Sequence, residues 1–190
     1  MVSEIARLTV PLATGVDDTS LLSRARSGDR EATELLVSRY LRDVYEMTAR
    51  VLGDRDLAQD AAQDAFVNAL GALHRFRGES SFKTWLLRIA LNSARSVARR
   101  RGRRREVAID LVEDLPDQRV DEVTRIANAD EAKRVEAVLA RLPEKQRMAV
   151  VLRLQQNLSY AEVAAALDCS EGAARVNYHL GVKRLRELTK

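Results

Sequence analysis

Asp60 and Asp64 lie four residues apart in "DLAQDAAQDAF", a spacing that places both carboxylates one turn apart on one face of a helix. A carboxylate pair can do general acid–base work, but nothing else that catalysis needs accompanies this one. The sequence has no Gly-rich phosphate loop, no nucleophile elbow and no HExxH or CxxC pair. The single Cys169 excludes an internal disulfide, and with only His74 and His179 beside it the chain falls short of a metal-ligand set. The expectation is a protein that is not an enzyme and carries no metal or cofactor. Asp60 and Asp64 then read as an exposed acidic face for a partner. Cys169 reads as a small buried apolar residue beside a turn.

A different chemistry is written between Phe76 and Arg105. Phe76, Phe82 and Trp85 stand at the head of a block in which nine Lys or Arg fall between Lys83 and Arg105 with no Asp or Glu among them. Aromatic faces stack on unpaired bases while cations hold the phosphates, the combination used for single-stranded nucleic acid. Core packing is the competing reading for each aromatic. Asn92 sits inside the block, and an amide both donates and accepts, as an exposed base edge requires. The run "ARRRGRRR" is an electrostatic patch rather than a sequence reader.

A second constellation lies near the other end. Ser159 and Glu162 have capping-box spacing, "YAEVAAAL" makes a short helix, "DCS" turns the chain, and Ser170 caps a further helix running to about Leu188. A short helix, a turn and a longer helix form the pair in which the second enters a DNA major groove, although an αα-hairpin of a bundle shares the pattern. In the second helix Ala174, Tyr178, Gly181, Leu185 and Leu188 recur in steps of three and four and make an inward stripe. Arg175, Val176, His179 and Lys183 are left outside. Arg175 and Lys183 supply charge and Val176 can meet a thymine methyl. Leu180 and Val182 are expected as exposed apolar residues suited to a protein partner.

The elements that must hold these residues are helical. Apolar residues recur at steps of three or four over Leu36–Val51, Leu57–Leu73, Phe82–Val97, Val135–Leu142 and Met148–Leu154, and no alternating strand pattern appears. The fold class is all-α. With a leading helix near Leu21–Arg26, residues 19–105 make a four-helix domain after an N-terminal tail over 1–18. Residues 132–190 make a second small helical domain. Between them, Glu106 to Glu131 carries nine acids against Arg119 and Arg125 and reads as an acidic flexible linker. At 32% charged residues with no apolar run of about 18, membrane insertion is excluded, and the N-terminus lacks the pattern of a secretory signal. A cytoplasmic location is expected.

The segments "SGDREATELLVSRY", "AQDAAQDAFVNALGALHRFRGESSFKTWLLRIALNSA" and "RLPEKQRMAVVLRLQQNLSYAEVAAALDCSEGAAR" resemble, in order, motifs of the extracytoplasmic function sigma factors of the bacterial sigma-70 family. The resemblance spans residues from about 20 to 188, with the connector unmatched. It implies that the first domain is sigma region 2, which grips the beta-prime clamp of core RNA polymerase and opens the minus-10 element. The second would be sigma region 4, which binds the minus-35 element and the beta flap. By position, Asp60, Gln63, Asp64 and Phe66 fall in the polymerase-binding segment. Phe76, Lys83, Trp85, Arg88, Asn92, Arg95 and Arg99 fall in the minus-10 binding and melting segment, with Asn92 reading an extruded base. Ser170, Arg175, Val176, His179 and Lys183 fall in the minus-35 helix. That helix departs from the family pattern at Ala173, Ala174, Asn177, Leu180 and Val182. The implied partners are core polymerase, promoter DNA and an anti-sigma factor. The alternative is a two-domain helix-turn-helix regulator that acts without joining polymerase, which would have no need of the aromatic-basic block or the acidic helix.

Overall fold

The computed structural model describes residues 16–108 and 134–189; residues 1–15 of the N-terminal tail and 109–131 of the acidic linker lie outside the described residues, while 106–108, expected as the start of the linker, are helical. All regular structure among the described residues is helical. In chain order the helices are α1 (Asp18–Arg26), α2 (Arg30–Leu52), α3 (Arg55–Gly71), a 3-10 turn (Leu73–Arg75), α4 (Phe82–Ala108), α5 (Glu144–Leu154), α6 (Tyr160–Leu167) and α7 (Glu171–Leu188). Residues 134–140 form a further helical stretch before α5.

Local chemistry fixes where these helices begin and end. Asp17, Asp29 and Asp54 each turn a carboxylate onto the first free amides of α1, α2 and α3. Ser81 and Ser170 do the same with a hydroxyl for α4 and α7. Such caps satisfy donors that have no intrahelical acceptor, and each contributes about 1 kcal/mol. Ser159 and Glu162 close the capping box at α6. Gly53 ends α2 at φ +67°, a conformation that a residue with a Cβ adopts only under strain. The first helix therefore begins at Asp18, slightly ahead of the expected boundary at residue 19. Asp18 belongs to the domain through its hydrogen bonds from Arg39 and the Tyr40 hydroxyl.

The first domain packs α2, α3 and α4 around Leu36, Val44, Met47, Leu86, Leu87 and Leu91, all at most 1% exposed. The α3 side of this core is lined by Ala58, Ala61, Ala62, Ala65 and Ala69. Side chains that small let α3 lie close on its neighbours, so the larger residues of α2 and α4 fill the space. The Thr48 hydroxyl, fully buried, lies 3.1 Å from the Ala58 carbonyl and ties α2 to α3. The second domain centres on Met148, Leu152, Val163 and Ala174. There α7 passes so close to α5 that a Cβ at position 181 would stand 2.6 Å from Val150 Cγ2 and force a shift.

The two domains pack on each other, α4 against α6 and α2 against α5. Buried residues of both domains belong to one apolar cluster, and polar contacts flank it at the junction. Gln155 donates to Glu46 at 3.1 Å, Gln156 donates to the Asp43 carbonyl at 3.1 Å, and the Thr84 hydroxyl lies 3.1 Å from Glu162 Oε1. Gln156 is 4% exposed, and its Oε1 finds no partner among the described residues. Hydrogen bonds of this kind contribute about 0.5–1.5 kcal/mol each, and the buried Oε1 atoms of Gln155 and Gln156 both lack a partner among the described residues.

Candidate nucleic-acid interface

The long helix α4 carries the aromatic-basic block. Its core face holds Leu86, Leu87, Ala90, Leu91, Ala94 and Val97, which leaves Arg88, Asn92, Arg99 and Arg100 exposed. Asn92 thus presents its amide outward among cations, where a base edge could reach both its donor and its acceptor.

At the N-terminal end of α4 the aromatics form one cluster. Phe76 lies 5.2 Å from Trp85 and 5.7 Å from Phe82 between ring centroids, Phe82 lies 5.7 Å from Trp85, and Tyr40 closes on Phe82 at 5.5 Å. Phe82 is 5% exposed and belongs to the core; Phe76 and Trp85 are half-buried with free edges. Core packing describes Phe82 fully and Phe76 and Trp85 in part, and these last two are the rings of the cluster at the head of α4 that keep partial exposure. Burial pushes the Tyr40 phenol well above its ordinary value, with the carboxylate of Asp18 adding to the effect, so it stays a neutral donor.

Among the described side chains of α4, each cation that makes an ion pair does so with an acid on another helix or turn. Lys83 meets Asp43 at 2.8 Å, Arg88 meets Asp168 at 3.8 Å, Arg95 meets Glu144 at 3.1 Å and Arg100 meets Asp64 at 2.6 Å, while Arg101 pairs with Asp54. Asp168 and Glu144 belong to the second domain, so that domain shields part of the cationic face. Arg95 also sits 3.3 Å from the Met148 sulfur.

On α3, Asp60 and Gln63 are exposed and Asp64 is half-exposed. Asp64 is not a free acid: its pair with Arg100 joins the acidic face to the basic helix. Phe66 corrects the expectation. Its ring is 9% exposed and packs with the Ala stripe in the core, so it supports the acidic face from beneath and is not part of it. Val67, one position on, is 66% exposed and is the apolar side chain that this helix presents outward beside the acids.

In the helix-turn-helix, Ala174 and Gly181 are buried and Tyr178 and Leu185 pack against the core, as the stripe requires. Arg175, Val176, His179 and Lys183 are all exposed. Ser170 is exposed, but its hydroxyl accepts from Ala173 N at 3.2 Å and serves the cap. Leu180 is 48% exposed, whereas Val182 packs against the core and corrects the expectation of a free apolar residue there. Cys169 is a second correction: it is exposed, because Asp168 turns left-handed at φ 54° and carries the next residue away from the α6 core face.

Sequence reasoning missed a further group. The Tyr160 ring has the Arg175 guanidinium at 4.8 Å, the Arg153 guanidinium at 5.2 Å and Tyr178 at 5.7 Å. A ring face and the Glu171 carboxylate at 3.1 Å hold Arg175 from two sides. The only signal in the sequence was Tyr160 beside the cap of α6, which does not disclose its neighbours. Among the described residues no group of His, Cys, Asp and Glu could hold a metal ion, and no helix is long and apolar enough to cross a membrane.

Residues 36–114 match the family model for sigma-70 region 2, and residues 132–185 match that for sigma-70 region 4. The chain is 36% identical over 173 residues to the RNA polymerase sigma-H factor of Pseudomonas aeruginosa, covering 86% of this chain and 89% of the relative. It is 36% identical over 166 residues to the ECF RNA polymerase sigma-E factor of Escherichia coli K12, covering 83% and 86%. Among solved structures, CnrH in complex with the cytosolic domain of CnrY is 28% identical with a TM-score of 0.69, covering 90% of this chain and 96% of that one. RpoE in complex with the anti-sigma factor NepR from Bartonella quintana, at 22% identity and a TM-score of 0.66, shares the fold.

Proposed function

Because the chain belongs to the extracytoplasmic function sigma factors of the sigma-70 family, we propose that its α4 face is the surface that reads and opens the minus-10 element once core RNA polymerase is bound. The protein directs polymerase to promoters and acts by binding rather than by turnover. The observation that carries the reading of α4 is the outward Asn92 amide set among Arg88, Arg95 and Arg99, with the Phe76 and Trp85 edges at the head of the same helix. Cations along the helix hold phosphates, the two rings stack on an unpaired base, and Asn92 takes a base edge. Breaking DNA stacking costs on the order of 1.4 kcal/mol per step. Stacking on an aromatic contributes about 1–3 kcal/mol per base. Two rings therefore offset only the first steps of melting, and polymerase must supply the rest.

Region assignments follow from the same reading. Residues 19–105 are the region 2 domain, with Asp60, Gln63 and Asp64 set against a basic clamp and Phe66 supporting them from the core. Residues 132–190 are the region 4 domain, in which Ser170, Arg175, Val176, His179 and Lys183 meet the minus-35 element. Residues 106–131 connect them. In this reading an anti-sigma factor controls access to these surfaces, and the protein works in the cytoplasm, where core polymerase is; a neighbour of the same fold was solved in complex with the anti-sigma factor NepR.

The test is run-off transcription from fragmented genomic DNA with purified core polymerase, with and without this protein. New promoter-specific transcripts are expected only with it. Sequence-specific DNA binding without any new transcript would favour a regulator that does not join polymerase and would overturn the reading.

A further inference from the structure

Arg26 closes α1 and reaches across the first domain to the connection between α3 and α4. Its Nε donates to the Leu73 carbonyl at 3.3 Å, its Nη2 donates to the Phe76 carbonyl, and its guanidinium carbon lies 5.8 Å from the centroid of the Phe76 ring. These are three contacts by one side chain, spanning 47 and 50 residues of sequence. The Leu73 carbonyl also accepts from the Phe76 amide at 3.2 Å, so Arg26 is its second donor, whereas the Phe76 carbonyl lies past the end of the 3-10 turn, where the helical ladder supplies no donor. A planar fork with several donors can hold two carbonyls and lie against a ring at once, which an ammonium cannot do.

Beyond Phe76 the connection has little packing to hold it. Arg77, Gly78 and Glu79 are exposed, Gly78 adopts φ +78°, and nothing lies within 4 Å of where its Cβ would be. Phe76 is thus the last well-held residue before an open loop: its ring packs on Phe82 and Trp85, and Arg26 grips its carbonyl and lies over the ring. Phe76 is also half of the stacking surface, since its ring stands 5.2 Å from Trp85.

We propose that Arg26 is a positioning residue for minus-10 opening, fixing the Phe76 ring against Trp85 so that the pair is ready to receive an unpaired base. This rests on the reading of Phe76 and Trp85 as the stacking surface. Arg26 lies outside residues 36–114, the part of the chain that matches the region 2 family model. The role is therefore written into the helix preceding that match. Neighbouring Arg24 provides the internal control, because it is engaged locally by Asp29 at 2.7 Å and Glu31 at 3.1 Å and touches none of the aromatics.

The experiment uses the full chain assembled with core polymerase and a promoter duplex carrying 2-aminopurine in the minus-10 element. Arg26→Met is expected to lower the rate of opening about tenfold, the scale of a lost charge-assisted grip. Core affinity should be unchanged. Arg26→Lys should recover only part of the rate, and Arg24→Met should behave as the unaltered protein. Trp85 is the sole tryptophan, so intrinsic fluorescence of the free chain reports the platform directly. Its emission should shift in Arg26→Met and not in Arg24→Met. Adding Arg26→Met to Phe76→Ala should cost nothing further. If Phe76→Ala slows opening and Arg26→Met does not, the positioning role is refuted while the stacking surface stands. If neither Phe76→Ala nor Trp85→Ala affects opening, the stacking surface itself is refuted. Loss of core affinity and of opening together in Arg26→Met would make Arg26 a general structural residue and likewise overturn the proposal.

Discussion

Replacing Gly181 with alanine sets helix propensity against close packing in the helix that would read the minus-35 element. Propensity alone favours alanine by about 1 kcal/mol. The new Cβ, however, would stand 2.6 Å from Val150 Cγ2, 3.1 Å from the Gln146 carbonyl oxygen and 3.4 Å from Gln146 Cβ. Carbon atoms rest at about 3.5–4.0 Å, so the Val150 contact demands about 1 Å of separation. Val150 is 3% exposed and cannot swing into solvent, and the Gln146 oxygen belongs to the α5 backbone. Overpacking of this kind costs about 1–3 kcal/mol. The net expectation is destabilisation of the second domain by about 0–2 kcal/mol, together with weaker minus-35 binding as α7 is pushed off α5. Urea unfolding followed by circular dichroism, with residues 132–190 as the reporting transition, measures the first. Filter binding to a minus-35 duplex measures the second. Adding Val150→Ala should restore part of the stability, with a favourable coupling of about 0.5–3 kcal/mol. Relief would be partial because the Gln146 carbonyl remains. If Gly181→Ala alone stabilised the domain by about 1 kcal/mol, the close approach of α5 and α7 would be wrong.

Three further outcomes are expected. Asn92→Ala should flatten the preference among minus-10 variants while core binding stays intact, and an equal loss on every variant would assign Asn92 to affinity rather than reading. Asp64→Lys should weaken capture of core polymerase in a pull-down, whereas Arg100→Ala, which only frees Asp64, should not; equal affinity for Asp64→Lys and the unaltered protein would remove Asp64 from the clamp-facing surface. The Ser159 amide hydrogen bond, opposed by burial and reinforced by the Ser159 and Thr84 hydroxyls, holds the Glu162 carboxyl below its ordinary value. A carboxyl depressed in the folded state stabilises fully above its unfolded value and loses that contribution as pH falls through the folded one. The stability gap between the unaltered protein and Glu162→Gln should therefore narrow on acidification from roughly pH 6 to 3, and a gap that widened would contradict the capping box.

Much of the fold is legible because its punctuation is chemical and local. Asp17, Asp29, Asp54, Ser81, Ser159 and Ser170 each cap a helix within three residues of themselves, and Gly53 ends one. Alternating steps of three and four likewise place Ala174, Tyr178 and Gly181 on one inward line. What periodicity leaves open is the depth of burial along such a line. Phe82 and Trp85 lie three residues apart on α4, and only Tyr40, arriving from α2, sends the first into the core and leaves the second an edge. Phe66 shares its helix face with Ala62 and Ala69, and the absence of large neighbours there lets the core close over its ring. Cys169 depends on the left-handed turn at Asp168, which a three-residue linker does not announce. Arg26, Tyr160 and the Gln155–Glu46 contact join residues 47 to 109 apart or lie across helices, and no sequence window contains both partners.

The pairing of Lys83, Arg88, Arg95, Arg100 and Arg101 with the protein's own carboxylates bears on how promoter binding responds to ionic strength. A free cation that meets a phosphate expels the counterion condensed there, and affinity for single strands falls with salt by a slope of about 0.7 per phosphate. Here each phosphate must first displace Asp43, Asp168, Glu144, Asp64 or Asp54, and the carboxylate so released gathers back part of the expelled ions. The minus-10 surface should accordingly bind with a shallower logarithmic salt slope than its number of phosphate contacts. Charge reversal at Glu144 and Asp168 should steepen that slope, since Arg88 and Arg95 would then meet phosphate with no carboxylate to displace.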